Sequence, residues 1–352
     1  MHLMQARLVG LGPLDDVTFR FADDAGVPRK TAVVLGSGGV GKSTLIGAIA
    51  ATRPGHAVAQ RPRRPGAAAY AVTEWALGAE DPARPHALRV ASPNAALGED
   101  EDVAMLRRRE QALFDRRAAA GGYAVLAFAG GRWFSRSPVL LGGAERALGR
   151  HEPRPSFGSD EASRADLTRD TKQALAFPLI SAALARHSAR RSDELVADAE
   201  ALETAMREAV EPLANLGGHG LVGVDPRTFE PVFERGPRGP LVSFDEMPTP
   251  ARHLVAFAAL AVRTLHAAWP DESAREAEGV VLVDDVDLHL DAATRRGLVP
   301  ALREALPNVQ WILAAASPEV ALACAPGDVL ALRRMPESSE IRLYEGDLAV
   351  VH

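Results

Sequence analysis

Apolar and polar positions divide the chain into strand-like and helix-like stretches. Residues 6–21 alternate around Gly10, Leu11, Gly12 and Pro13, which predicts two short strands joined by a tight turn. Ala32, Val33, Val34 and Leu35 form a continuous apolar run, the pattern of a strand buried on both faces. Residues 45–50 read as a helix, and residues 72–77 and 87–91 as further strands. A helix is predicted where Glu99, Asp100, Glu101 and Asp102 precede Arg107, Arg108 and Arg109, with acids toward its N-terminus as the helix dipole favours. Residues 53–66 and 130–160 are loop-rich, the latter with Gly142, Gly143, Pro153 and Pro155. Helical periodicity returns over 163–187, with Leu167, Leu175, Leu179 and Leu184, and over 193–213, with Leu195, Leu202, Met206 and Val210 on one stripe. These two predict a helical hairpin or lid, too short for an extended coiled-coil arm. Short strands at 220–224 and 231–234, a strong helix at 251–269 and a second buried run at 279–283 complete an α/β pattern.

Composition narrows the class only slightly. The 352 residues are 47% hydrophobic and 24% charged, as in ordinary globular proteins, and a formal charge of -6 gives no global attraction to nucleic acid or anionic membrane. Abundant Ala, Arg, Gly and Pro reads as the imprint of a GC-rich genome. Arg61, Arg63, Arg64, Arg107, Arg108, Arg109, Arg190 and Arg191 are candidate DNA contacts that read better as solvated surface. Cys324 is the single cysteine, which excludes an intrachain disulfide and a cysteine-built zinc site. The first residues lack a charged-then-apolar leader, and no apolar run approaches the roughly 20 residues that span a bilayer. A cytoplasmic protein is the expectation.

The run Gly36-Ser37-Gly38-Gly39-Val40-Gly41-Lys42-Ser43-Thr44 fits G-x-x-x-x-G-K-[ST] and lies between a predicted strand and a predicted helix. Glycines there let backbone N–H groups turn toward phosphate oxygens, and the helix start adds a positive dipole end. Lys42 is expected to reach the outer phosphates of a nucleotide, and the Ser43 hydroxyl to hold Mg2+. The second signal is the apolar run 280–283 ending in Asp284 and Asp285. A parallel strand of that kind presents its carboxylates at the sheet edge where α/β folds bind ligands. Asp284 is expected to hold Mg2+ with Ser43, and Asp285 to sit beside the γ-phosphate and orient the attacking water.

These residues carry a family resemblance. Asp284-Asp285-Val286-Asp287-Leu288-His289-Leu290-Asp291 resembles the Walker B and D-loop segment of ABC-type P-loop ATPases, especially the SMC/RecF-like and OLD-like branch (AAA-family ATPases of the D-E-x-D-L-H-L type). The continuation is similar: a helix through 298–306, a strand-like run over 307–313, then Ser317, Pro318, Glu319 and Val320. ParA-type ATPases differ in carrying a lysine where Ser37 stands. Signalling NTPases of the STAND group share the glycine pattern and an L-D-D-V-like run, but place the two motifs closer together. The resemblance implies a mostly parallel central sheet with an N-terminal antiparallel portion and a helical insertion. Its expected layout is an N-terminal part of the head at 1–95, the insertion at 96–240 and a C-terminal part at 241–352. It also implies ATP and Mg2+ as ligands, a homodimer closing across the nucleotide, and an unidentified protein partner in genome maintenance or phage defence.

Departures from the family pattern cluster around one phosphate. The signature segment falls at 247–252, where Thr249 reads as the N-cap and Pro250 as the first helical residue; Pro248 and Pro250 have no N–H to donate. Asp285 replaces a glutamate and is shorter by one methylene, about 1.5 Å. Ala316 occupies the place of the switch histidine. Gln60 is a candidate for the glutamine that touches metal and water. The pattern predicts retained ATP binding with slow hydrolysis. A regulatory or scaffold module that scarcely hydrolyses, and a STAND-like NTPase, stand as alternatives.

Overall fold

The computed structural model describes residues 1–62, 66–77, 86–117, 121–140, 143, 147–148, 166–188, 192–338 and 340–350. β1 (His2–Leu11) and β2 (Leu14–Arg20) form a hairpin, followed by β3 (Thr31–Gly36) and α1 (Lys42–Ala50). β4 (Tyr70–Ala76), β5 (Leu88–Ala91), α2 (Glu101–Arg117) and β6 (Val125–Phe128) come next. The helical pair α3 (Thr168–His187) and α4 (Asp193–Leu216) precedes three short strands: β7 (His219–Val224), β8 (Pro231–Arg235) and β9 (Leu241–Ser243). Then come α5 (Thr249–Ala268), β10 (Gly279–Val283), α6 (Ala292–Ala305), β11 (Val309–Ala315), β12 (Val329–Arg334), β13 (Ile341–Glu345) and the short helix α7 (Asp347–Val350).

The central sheet has the order β13-β12-β3-β11-β10-β6, parallel throughout except for the antiparallel edge strand β13. This is the mixed α/β fold with a mainly parallel sheet that the sequence predicts. Its strands are apolar on both faces because both are covered. Val33, Leu35, Val281, Val283, Trp311 and Leu313 face a core shared with α4, α5 and α6. The alternate residues Ala32, Val34, Val280, Leu282, Ile312 and Ala314 face a second core with Leu45, Ile46 and Ile49 of α1. That second core also takes Leu3, Leu8, Phe19 and Trp75 from an antiparallel sheet ordered β2-β1-β4-β5. Each such side chain contributes roughly 1.5–3 kcal/mol of burial. β6 lies in a stretch with no strand predicted, yet it is the edge strand beside β10.

The hairpin of α3 and α4 packs on α5 through Leu202, Met206, Val210 and Leu213. Leu184 and Leu195, assigned to the apolar faces by periodicity, are exposed because they lie near the hairpin tip, away from that contact. Of the basic candidates, Arg63, Arg64, Arg190 and Arg191 lie outside the described residues, as do Gly142, Pro153 and Pro155. Among the described residues no helix is long and apolar enough to cross a membrane.

One buried side chain ties the antiparallel sheet to the central one. Gln310 on β11 is fully buried; its Oε1 accepts from the Leu3 amide at 2.7 Å, and its Nε2 donates to the Leu3 and Arg29 carbonyls at 3.0 Å each. Replacing it strands two buried backbone groups of Leu3 and the half-buried Arg29 carbonyl, at about 1–3 kcal/mol per unsatisfied buried group before relaxation. Gln310→Leu should therefore lower stability by about 2–4 kcal/mol in urea denaturation, with an unchanged m value. A loss below the error of the midpoint would show that these backbone groups are solvated.

Candidate functional site

β3 delivers the glycine-rich loop to the C-terminal edge of the sheet, and α1 starts immediately beyond it. Gly41, the residue before the helix, has φ 104°, and an added Cβ would lie 2.9 Å from Leu14 Cγ in the β1–β2 turn. Only glycine fits both that angle and that neighbour. No side chain caps α1, and its first turn carries no acid, so its leading amides are not claimed by a side chain. A helix N-terminus of that kind suits an anion. Lys42 is 7% exposed, and its Nζ donates to the Gly36 carbonyl at 2.7 Å and the Ser37 carbonyl at 3.0 Å. Those bonds hold the ammonium inside the curve of the loop, while Ser37, Gly38 and Gly39 line its exposed rim.

β10 brings the acids to the same edge, one strand removed, because β11 separates it from β3. The Asp284 carboxylate lies beside the Ser43 hydroxyl and accepts from the Asp285 amide at 3.1 Å. Burial is the main reason its carboxyl lies above the usual range, opposed by the neighbouring Ser43 hydroxyl and reinforced by the nearby Asp285 charge. Asp285 has φ 42°, a left-handed conformation costing on the order of 1 kcal/mol for a residue with a Cβ. Asp287, 7% exposed, accepts the Ala316 and Ser317 amides on Oδ2 at 3.1 and 2.6 Å. The segment after β11 is thus fastened to the turn after β10.

Two residues that the sequence pattern did not single out complete this edge. Gly130, just past β6, stands against both acids: an added Cβ would lie 2.8 Å from Asp285 Oδ2 and 3.1 Å from Asp284 Oδ2. Arg132 is 4% exposed; its Nη1 donates to the Ala129 and Asp284 carbonyls at 2.9 and 2.6 Å, and its Nη2 to the Asp285 carbonyl at 2.8 Å. Burial pushes this guanidinium down to about 10, against the opposing attraction of Asp284, Asp285 and Asp287. The one sequence sign of the pair is the apolar run over 124–129 closed by Gly130 and Gly131.

Other expected positions lie elsewhere or differ in detail. Gln60 sits in a loop tied to Asn94, and its side chain donates to the Val58 carbonyl; the backbone beside the acids belongs instead to Gly130. α5 is capped at Pro248, one residue earlier than expected. Thr249 is therefore the first helical residue and its hydroxyl does not cap; it accepts from Arg252 Nη2 at 3.1 Å. Pro248 and Pro250 both flank that start and leave two of its positions without an amide donor. Ala316 is exposed and meets Asp287 through its backbone alone. His253, buried one turn into α5 between Phe134, Phe257 and His289, is depressed to about 3, chiefly by burial. Among the described residues no group of three or more His, Cys, Asp or Glu side chains is placed to hold a metal by itself.

No protein-family model and no curated protein sequence matches the chain. Solved structures do. An SMC head bound to the C-terminal winged-helix domain of ScpA is similar at TM-score 0.50 and 15% identity, over 98% of this chain and 98% of that one. The SMC head domain of Thermotoga maritima gives 0.48 and 13%, over 99% and 100%. An SMC head with an extended coiled coil from Pyrococcus furiosus, bound to the C-terminal domain of ScpA, gives 0.48 and 15%, over 98% and 96%. The likeness at 0.50 shows the fold alone: the chain is folded like an SMC head.

The raised Asp284 carboxyl has a consequence for stability. Folding takes up a proton at this group, so its contribution is greatest below the ordinary carboxylate range and is lost as pH rises through the raised value. Asp284→Asn should therefore melt at a higher temperature than the parent at neutral pH, with the gap closing as pH falls through the acid range. A variant that melts lower at neutral pH would contradict the burial argument.

Proposed function

We propose that the chain binds ATP with Mg2+ at this edge, and that binding rather than rapid turnover is its output. The observation that carries the reading is the meeting of Ser43 and Asp284, from opposite ends of the sequence, beside a buried Lys42. The residues fit the ligands. A buried carboxylate touching a hydroxyl is an oxygen donor set of the kind Mg2+ takes, with its remaining ligands from phosphates and water. The uncapped start of α1 fits the phosphates. Ser43 and Asp284 would hold the ion, which would supply charge neutralisation at the outer phosphates. In this reading Gly36, Ser37, Gly38, Gly39, Val40, Gly41 and Thr44 shape the cradle, Lys42 pairs with phosphate oxygens, and Asp285 orients water.

Three features reduce help at the transition state. Asp285 is a methylene short, about 1.5 Å, where a misplacement of about 1 Å costs roughly a hundredfold. Ala316 offers no side-chain contact to a phosphate, and the α5 start carries two prolines. In the proposed mechanism ATP closes two copies across the nucleotide, with α5 of one copy facing the phosphates of the other. The α3–α4 hairpin passes closure to a protein partner. The layout 1–95, 96–240 and 241–352 is retained for this purpose, with β6 counted to the head because it pairs with β10. A module that holds ATP without hydrolysing it is the second reading, favoured by Ala316, Pro248 and Pro250.

Sedimentation with ATP and Mg2+ should show a dimer that Lys42→Ala abolishes; a monomer in both states would contradict the clamp. Turnover of the purified protein should stay below about one per second, the low end for enzymes. The double replacement Asp285→Glu with Ala316→His should raise it about tenfold or more. Several turnovers per second in the parent, or no gain in the double variant, would overturn the account of its slowness.

A further inference from the structure

Arg132 is buried where a charged side chain is costly, and it makes no ion-pair contact with a carboxylate oxygen in its hydrogen-bond set. All three bonds go to backbone carbonyls, and two of those belong to the neighbouring residues Asp284 and Asp285. Adjacent carbonyls on a strand point to opposite sides. Here they converge on one guanidinium because Asp285 turns to φ 42°. The planar fork of arginine takes the Asp284 carbonyl on one terminal nitrogen and the Asp285 carbonyl on the other, a geometry that lysine cannot copy. Its plane is fixed in turn by the Phe257 ring, 5.1 Å from Cζ, which makes an edge-to-face contact with Phe128 at the end of β6. Gly130 stands against the two carboxylates, with no room for a side chain.

We propose that Arg132 is a positioning residue for the metal-nucleotide site, a fork that fixes the Asp284 and Asp285 peptide planes so that the Asp284 carboxylate is held beside Ser43 and the Asp285 carboxylate beside it. The proposal rests on the ATP–Mg2+ reading above and adds a residue and a role to it. The fork does not touch nucleotide or metal. It selects the left-handed turn at Asp285, and the same Asp285 carbonyl also accepts the Leu288 amide at 3.1 Å, so one peptide group anchors both the acids and the following turn. The positive charge behind the acids also lowers their mutual repulsion, which lysine would retain in part; the carbonyl fork is what lysine loses.

The test is binding of a fluorescent ATP analogue to the full chain across a Mg2+ titration and in EDTA, for the parent, Arg132→Lys and Arg132→Gln. Metal-free affinity depends on the phosphate loop and should stay within about twofold in both variants. The Mg2+ concentration for half-maximal enhancement should rise about tenfold or more, with turnover falling in step. A purely structural role would lower the melting temperature and leave the Mg2+ dependence unchanged; that result would overturn the proposal. So would failure of both variants to fold, since it would make Arg132 part of the core and nothing more. Absence of any ATP binding by the parent would instead sink the reading of the site itself. Parent binding with an unshifted Mg2+ response in the variants sinks only the role of Arg132.

Discussion

The approach of the Ser43 hydroxyl to the buried Asp284 carboxylate is the constraint around which the rest of the molecule is arranged. It joins the helix after the first sheet strand to the end of a strand near the far end of the chain. Such a meeting requires β3 and β10 to run parallel and to finish at one edge, with β11 between them. That in turn requires both faces of the sheet to be covered. The alternation of Val33 and Leu35 against Ala32 and Val34 divides one strand between two separate cores. α1 and the antiparallel sheet close one face, and α4, α5 and α6 close the other. Lengthy intervening chain is tolerated because the sheet, and not sequence proximity, sets the register.

This edge is also where local stability is given up. Two acids are placed side by side, one of them desolvated, and the second sits in a left-handed conformation that its Cβ disfavours. Strain and unfavourable charge of this kind persist only where surrounding contacts over-determine the geometry. The surroundings here are specific: Arg132 behind the carbonyls, Gly130 against the carboxylates, and Asp287 pinning the Ala316–Ser317 backbone. On the ATP reading proposed above, these contacts favour holding the ligand over turning it over. The positions proposed to face the γ-phosphate from outside, at 249–252 and at Ala316, are proline-flanked or lack a reactive side chain.

The parts of this site legible in the sequence were those coded locally. The glycine loop with Lys42 and Ser43, and the apolar run ending in Asp284 and Asp285, each carry their chemistry within a few consecutive residues. Strand and helix positions followed from periodicity wherever one face or both are buried. What escaped notice is non-local. β6 is only four residues long, and its role beside β10 comes from pairing across most of the chain, so neither Gly130 nor Arg132 announces itself. α5 starts one residue earlier than expected, with Thr249 inside the helix, where its hydroxyl accepts from Arg252 instead of capping. Leu184 and Leu195 fit a helical stripe yet lie beyond the reach of the core. Gln60 had the right chemistry for a metal-facing amide but was folded into a loop with Asn94 instead.

Titration calorimetry of ATP into the purified chain, with and without Mg2+, tests the assignment of this edge most directly. The account predicts one saturable site per chain, tightened by Mg2+, lost in Lys42→Ala, and insensitive to Mg2+ in Asp284→Asn. Absence of a saturable heat in the parent, or equal affinity in Lys42→Ala, would contradict it.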